Sequence, residues 1–150
     1  MRPFVHGFAI VAQNSALRSC AQMQALYANQ NQEIIMAISE FEVKRCEREL
    51  EKFLDAKRPP AHIRNQLDFG YRIENQSVEL FEIRPEWRNP EKKMEHPFAK
   101  ATFVKKEKLW KVYWQRQDLK WHSYKPAPSV QYFEEFLTIV SEDVNACFFG

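Results

Sequence analysis

Residues 67–74 alternate strictly between apolar and polar or small side chains, and this alternation constrains the fold more than any other feature. The four apolar positions are Leu67, Phe69, Tyr71 and Ile73. Successive side chains of a strand point to opposite faces, so a period of two predicts a strand that buries one face. The core of the protein must therefore include one face of a β-sheet.

Further strands are predicted downstream, separated by turns and one long loop. A turn at 74–77 precedes the second strand, and a turn at 106–108 precedes the fourth. Residues 84–97 contain three prolines and predict a long loop between the second and third strands. Connections this short favour antiparallel pairing of neighbouring strands. The later strands are expected at residues 78–83, 98–105 and 109–116. Residues 119–124 are either a short fifth strand or a continuation of the fourth past a bulge at residues 117–118.

Two helices are predicted, one before and one after the strands in the sequence. The first spans residues 40–57, because apolar side chains recur there at helical spacing and Ser39 with Glu42 forms a capping box. The second spans residues 130–141, with Ser129 as its N-cap. This order predicts an α+β fold, an antiparallel four- to five-stranded meander sheet with two helices packed on one face. The apolar ending, residues 147–150, is expected to pack on the domain or on a partner.

Charge is distributed unevenly along the chain, and its distribution predicts the domain limits. Residues 1–35 hold three charged side chains, whereas residues 36–150 hold the other 39. A folded surface needs charge for solubility. We therefore interpret residues 1–35 as an N-terminal extension, either disordered or upstream of a natural start at Met36, and residues 36–150 as a single α+β domain.

Composition excludes several classes of protein and of site. No segment approaches the roughly 18 consecutive apolar residues of a membrane-spanning helix, so we expect no membrane partner. The three cysteines lie far apart without metal-ligand or redox spacing, and only three glycines are present, so no glycine-rich phosphate loop is found. We expect a cytoplasmic protein with no metal and no cofactor.

The segment of residues 105–125 combines positive charge with aromatic rings. It holds seven basic and two acidic side chains, although the net charge of the whole chain is only +2. Cations neutralise phosphates and flat rings stack on bases, so this combination is typical of a surface that binds nucleic acid. The same pattern also fits core tryptophans with solvated lysines at a sheet edge. The rings are Trp110, Tyr113, Trp114, Trp121 and Tyr124.

The leading hypothesis is a non-enzymatic binding module with nucleic acid as its partner. Strand parity places Lys111 and Tyr113 on the face opposite the helices, and the next strand is expected to add Lys120, His122 and Tyr124 to that face. A cluster of residues at the end of the second strand and in the loop after it, Arg84, Trp87 and Arg88, would extend the surface. The candidate binding residues are Arg84, Trp87, Arg88, Lys111, Tyr113, Arg116, Lys120, His122 and Tyr124.

Two other hypotheses stay open on the sequence. A sheet covered on one face could use its other face for a homodimer or for a protein partner. Alternatively, Asp118 and Lys120 have the D-x-K spacing of a metal-dependent nuclease, with Glu82 as a second acid. Asp118 equally fits the position of a turn residue.

Many short motifs, in order, resemble those of one family. From residue 36 to residue 150 the chain is similar to the bacterial domain of unknown function numbered 3024. The resemblance implies a small protein whose single domain stands alone, and it implies no activity, because none is assigned to the family. The residues that carry the resemblance are 58–60, 62–64, 70–73, 76–78, 80–82, 84–85, 99–102, 110–114, 118–122 and 147–150.

Overall fold

A computed structural model describes residues 38–149 of the chain. The expected N-terminal extension, residues 1–35, lies outside the described residues. Two helices, α1 (Glu40–Lys57) and α2 (Phe133–Glu142), flank the strands in the sequence. The strands are β1 (Asp68–Glu74), β2 (Ser77–Pro85), β3 (Lys93–Val104), β4 (Leu109–Gln115), β5 (Trp121–Ser123) and β6 (Ser129–Val130).

The strands form one antiparallel sheet in the order β1-β2-β3-β4-β5, and β6 pairs with β4. The predicted α+β class and antiparallel meander are therefore confirmed. The short β6 is an additional strand that the sequence pattern did not predict.

Cross-strand register assigns the side chains to two faces of the sheet. Tyr71 pairs with Leu80, Leu80 with Ala99, and Ala99 with Trp114, so these four side chains share one face. They pack in the core with the buried side chains of both helices. We call this the inner face and the opposite one the outer face.

Helix α1 begins and ends where its sequence predicts. The Ser39 hydroxyl accepts a hydrogen bond from the backbone N–H of Glu42 at 3.3 Å, which satisfies one of the free N–H groups of the first turn. Cys46, Leu50 and Phe53 form its buried stripe. The charged side of the helix is left in solvent, as the sequence predicted.

The loop predicted at residues 84–97 is wrong in extent. Strand β2 continues to Pro85 and β3 already begins at Lys93, which leaves a connection of residues 86–92. Pro97 is tolerated inside β3 because the register shifts beside it, opposite Leu80 and Phe81. A β-bulge accommodates a residue that cannot donate to the ladder.

The start of α2 was also predicted wrongly. Ser129 and Val130 pair with β4 as β6, and the helix begins at Phe133 after an N-cap, Tyr132, whose side chain makes no capping hydrogen bond. Val130 is nevertheless buried, as expected, because it lies opposite Trp110 on the inner face.

The fifth strand is shorter than the predicted 119–124. Leu119 adopts a positive φ of 59° in the turn before it, and Tyr124 follows its end. β5 is therefore limited to three residues, which pair with the end of β4.

The C-terminal segment packs on the domain, as the sequence predicted. Phe148 is buried, and Phe149 packs against the core beside Phe69 and Phe98. Asp143, the C-cap of α2, holds this segment, because its carboxylate accepts the backbone N–H groups of residues 147, 148 and 149 at 2.7, 3.1 and 2.8 Å.

Neither described helix could cross a membrane, since neither combines sufficient length with sufficient apolar character.

Candidate functional site

The outer face carries aromatic rings with cations above them. Lys100 Nζ lies 5.4 Å from the ring centroid of Trp121, and the Arg72 guanidinium lies 5.3 Å from that of Phe81. Both cations are also paired with carboxylates, Lys100 with Glu79 at 3.0 Å and Arg72 with Glu95. These contacts hold the rings and the cations in place over the centre of the face.

Lys111 and Tyr113 lie on the outer face, as predicted. They pair in register with Thr102 and Lys100, and Tyr113 is also opposite Ser123 on β5. The Lys111 side chain is exposed and has no ion pair or hydrogen bond within residues 38–149. A free ammonium group beside a half-buried phenol ring is therefore available to a ligand.

The expectation that β5 adds Lys120, His122 and Tyr124 to this face is wrong. Trp121 pairs with Gln115 on the outer face, whereas His122 pairs with Trp114 and lies on the inner side. Tyr124 is 4% exposed and belongs to the core. Lys120 lies in the turn, its backbone N–H donating to Asp118. The residues of β5 that face outward are thus the odd-numbered ones, whereas even-numbered ones were expected. A shift of one residue in the register exchanges the two faces of a strand.

Three of the predicted binding residues instead meet in a cleft at the end of β4, on the inner side. Arg116, His122 and Tyr124 line it together with Trp114 and others, and the cleft has a volume of about 350 Å³. The Arg116 guanidinium stacks on the Trp114 ring at 5.3 Å from its centroid. We call this the Trp114 cleft; its lining also includes Lys125, Ser123, Pro126 and Cys147.

His122 is oriented by a carboxylate four residues earlier. Its Nε2 lies 2.9 Å from Asp118 Oδ2 and 3.2 Å from Oδ1. The pKa of Asp118 is lowered, first by the backbone N–H of Lys120 and then by His122. The ionised carboxylate therefore closes its own turn and holds the imidazole at the rim of the cleft.

Cys147 contributes a neutral thiol to the Trp114 cleft. Burial, and then the nearby charge of Asp143, raises the pKa of this thiol, while Arg116 opposes the effect. The thiol donates weakly to the backbone carbonyl of Asn145, with Sγ at 3.6 Å from the oxygen. A raised pKa disfavours the thiolate, so the side chain is a polar lining group and lacks the activation of a nucleophile.

Comparison with known proteins places the chain in a family. A family model described as a domain of unknown function, DUF3024, matches residues 38–150. The chain belongs to the DUF3024 family. No curated protein and no solved structure matches it. The resemblance noted from the short motifs is thereby confirmed, and the match covers all of the residues described above.

The loop cluster of this DUF3024 domain lies far from Lys111. Arg84 pairs with Met94 near the start of β3, whereas Lys111 pairs with Thr102 near its end, a separation of roughly 25 Å at 3.3 Å per residue. Arg84 is engaged by Glu82 at 2.7 Å. The structure therefore does not join this cluster to the Lys111 surface.

Trp87 and Arg88 lie in the connection between β2 and β3. Trp87 is 83% exposed, and the Arg88 guanidinium stacks over it at 5.1 Å from the ring centroid. They form an isolated exposed pair at the tip of the β2–β3 hairpin.

The residues of the nuclease hypothesis do not converge in the DUF3024 domain. Glu82 is paired with Arg84, Asp118 bonds its own turn and His122, and Lys120 lies in that turn. Within residues 38–149, no group of three or more His, Cys, Asp or Glu side chains is arranged to hold a metal ion. The D-x-K spacing here belongs to a turn, the alternative that the sequence left open.

Sequence reasoning missed several residues of both surfaces as candidates. Trp121 was recognised as part of the aromatic segment but was not among the predicted binding residues. Gly70 could have indicated an aromatic side chain packed closely on the outer face, because glycine inside a strand indicates a close approach of another group. That group is Phe81, whose ring lies across Gly70. The remaining missed residues are Arg72, Lys100, Trp114 and Lys125.

Proposed function

We propose that this DUF3024 domain is a binding module that takes single-stranded nucleic acid on the outer face of its sheet. The observation that carries the proposal is the exposed Lys111, which lies beside Tyr113, has no ion pair among residues 38–149 and is on a face where Lys100 is already stacked on Trp121. Both described helices pack on the inner face, so neither of them covers this surface.

Charge and rings have separate tasks in such a surface. Ammonium groups neutralise backbone phosphates without reading sequence, and aromatic rings stack on bases of any identity. Lys111 supplies the free charge, and Tyr113 with Trp121 supplies partly exposed ring surface. Few hydrogen-bonding side chains are free to read base edges here, so the expected binding has little sequence preference.

The distribution of charge over the domain supports the same proposal. Residues 57–125, which form the sheet and its loops, hold 16 basic and nine acidic side chains, whereas residues 129–150 hold only acidic ones. Because the helical segment at the C-terminus is acidic, an approaching polyanion is directed towards the sheet. The two free thiols among the described cysteines, Cys46 and Cys147, support a reducing compartment such as the cytoplasm.

Fluorescence anisotropy of labelled single-stranded and duplex oligonucleotides tests the proposal, at low and at physiological salt. Binding should weaken as salt rises, because it releases counterions. Lys111→Gln should weaken it severalfold and reduce the salt slope by about one. Lys44→Gln is the matched control, since Lys44 is an exposed lysine on α1. Absence of binding at low salt, or equal losses in both variants, contradicts the proposal.

A homodimer through the same face is the second candidate, since an uncovered sheet face can also pair with a copy of itself. Light scattering on the same samples distinguishes it. A mass that rises with protein concentration, is insensitive to salt and returns to the monomer value in Tyr113→Glu would favour the dimer.

A further inference from the structure

The Trp114 cleft is a second surface, separate from the outer face. Trp114 shares the inner face with Ala99 and His122, whereas Lys111 and Tyr113 point to the other side of the same strand. A ligand in the cleft would therefore not compete for the side chains that carry the proposed function.

The cations of the cleft lack acidic partners. The Arg116 side chain contacts the Trp114 ring, and no carboxylate pairs with it or with Lys125 within residues 38–149. His122 is a third group that becomes cationic when protonated.

The acidic groups close to the cleft are already engaged. Asp118 accepts from its own turn and from His122, and Asp143 accepts three backbone N–H groups of the C-terminal segment. Neither carboxylate pairs with Arg116 or Lys125, so these two positive charges are left for a ligand.

The shape and the neutral groups of the cleft fit a small ligand. Its volume of about 350 Å³ is at the lower end of the range for small-molecule sites. Trp114 and the largely buried Tyr124 provide apolar walls, and the thiol of Cys147, which donates to the Asn145 carbonyl, is a neutral lining group. Two permanent cations with a nearby imidazole match a dianion better than a single carboxylate, and a guanidinium binds phosphoryl oxygens in a bidentate manner.

We propose that the Trp114 cleft binds a phosphate monoester, with Arg116 and Lys125 holding the phosphoryl oxygens and the His122 ring, fixed by Asp118, at the rim. The phosphoryl group could belong to a free small molecule or to the terminus of a nucleic acid strand, and both sources present the same chemistry to the cleft.

The test is a titration of the full chain with inorganic phosphate at constant ionic strength, followed by the resonances of the Trp114 indole N–H and the His122 ring. We expect saturable shifts confined to the cleft. Lys125→Gln should weaken binding roughly tenfold, because a charge-assisted hydrogen bond is lost. Arg116→Gln should do the same, and Lys125→Gln has the lower risk to folding, because both residues are exposed but Arg116 also stacks on the Trp114 ring.

Lys44→Gln is the matched control, because Lys44 is an exposed lysine of α1 that does not line the cleft. Shifts that do not saturate, or an equal loss in Lys44→Gln, overturn the proposal. A nucleoside monophosphate and a pair of oligonucleotides with and without a 5′-phosphate then distinguish the two sources. Oligonucleotide binding that depends on Lys111 and ignores the 5′-phosphate leaves the proposed function intact and assigns the cleft to a free ligand.

Discussion

The ring of Phe81 lies directly across Gly70, on the outer face of the sheet. A Cβ atom added to Gly70 would lie 2.6 Å from Cε2 of that ring and 2.9 Å from Cζ. The Arg72 guanidinium lies 5.3 Å from the centroid of the same ring, and Phe81 is only 7% exposed although it is not part of the main core cluster.

Gly70→Ala should destabilise the domain by about 1–3 kcal/mol, since the added methyl group forces the Phe81 ring to move. Denaturant unfolding measures the change. Phe81→Leu in the same background relieves the clash, so the cost of Gly70→Ala should shrink in the double variant. An unchanged cost in that background would show that the ring is not the obstacle.

Asp143→Ala should detach the C-terminal segment. Its carboxylate accepts three backbone N–H groups, and its φ of 38° is a conformation that alanine adopts poorly. We expect a loss of about 2–3 kcal/mol in unfolding free energy and faster removal of the terminal residues by carboxypeptidase. Asp143→Asn, which tolerates this φ and retains one acceptor oxygen, should cost less; Glu142→Gln, an exposed neighbour, should be neutral.

The ion pair of Arg58 with Asp68 makes stability depend on acid pH. Arg58, by its hydrogen bonds, lowers the pKa of Asp68 below the ordinary 3.8, aided by the backbone N–H of Phe69. Because the folded state has the lower pKa, the contribution is complete above the ordinary value and is lost as pH falls through the folded one. We expect about 1 kcal/mol, since Arg58 is 34% exposed and solvent screens the pair.

Urea unfolding at a series of acid pH values checks this expectation. The wild-type profile should fall below pH 3.8 more steeply than that of Asp68→Asn, which lacks the titrating group. Parallel profiles would show that the pKa of Asp68 is the same in the folded and the unfolded protein, which contradicts the expectation.

Cys46 should resist thiol reagents in the native protein. It is fully buried, and burial raises its pKa to about 12, so that at neutral pH it stays a protonated thiol. Labelling with iodoacetamide, assigned to each cysteine by mass spectrometry, should modify Cys147 before Cys46, because the thiol of Cys147 is partly exposed whereas that of Cys46 is buried. Cys46 should react only at the rate of unfolding, and fast labelling of Cys46 under native conditions would contradict this packing.

Local patterns determined most of the secondary structure. Helix α1 follows from its cap and its apolar stripe, and β1 from its alternation, because both signals lie within one element. The predicted start of β3 was wrong because a bulge opposite β2 lets the strand continue through Pro97. The predicted start of α2 was wrong because Val130 pairs with Trp110 in the sheet. Both arrangements depend on a distant strand, so no local signal contains them.

By itself, the sequence determined the α+β class, the helix start at Ser39, the buried stripes and the family to which the chain belongs. Only the tertiary structure decided which charged and aromatic side chains share a surface. It separated Lys111 from His122, placed Trp121 rather than Tyr124 on the outer face, and gathered Arg116 and Cys147 from distant parts of the chain into one cleft. The physical reason is that composition and spacing fix what one element buries, whereas register between strands fixes what two elements bring together, and a shift of one residue exchanges the two faces.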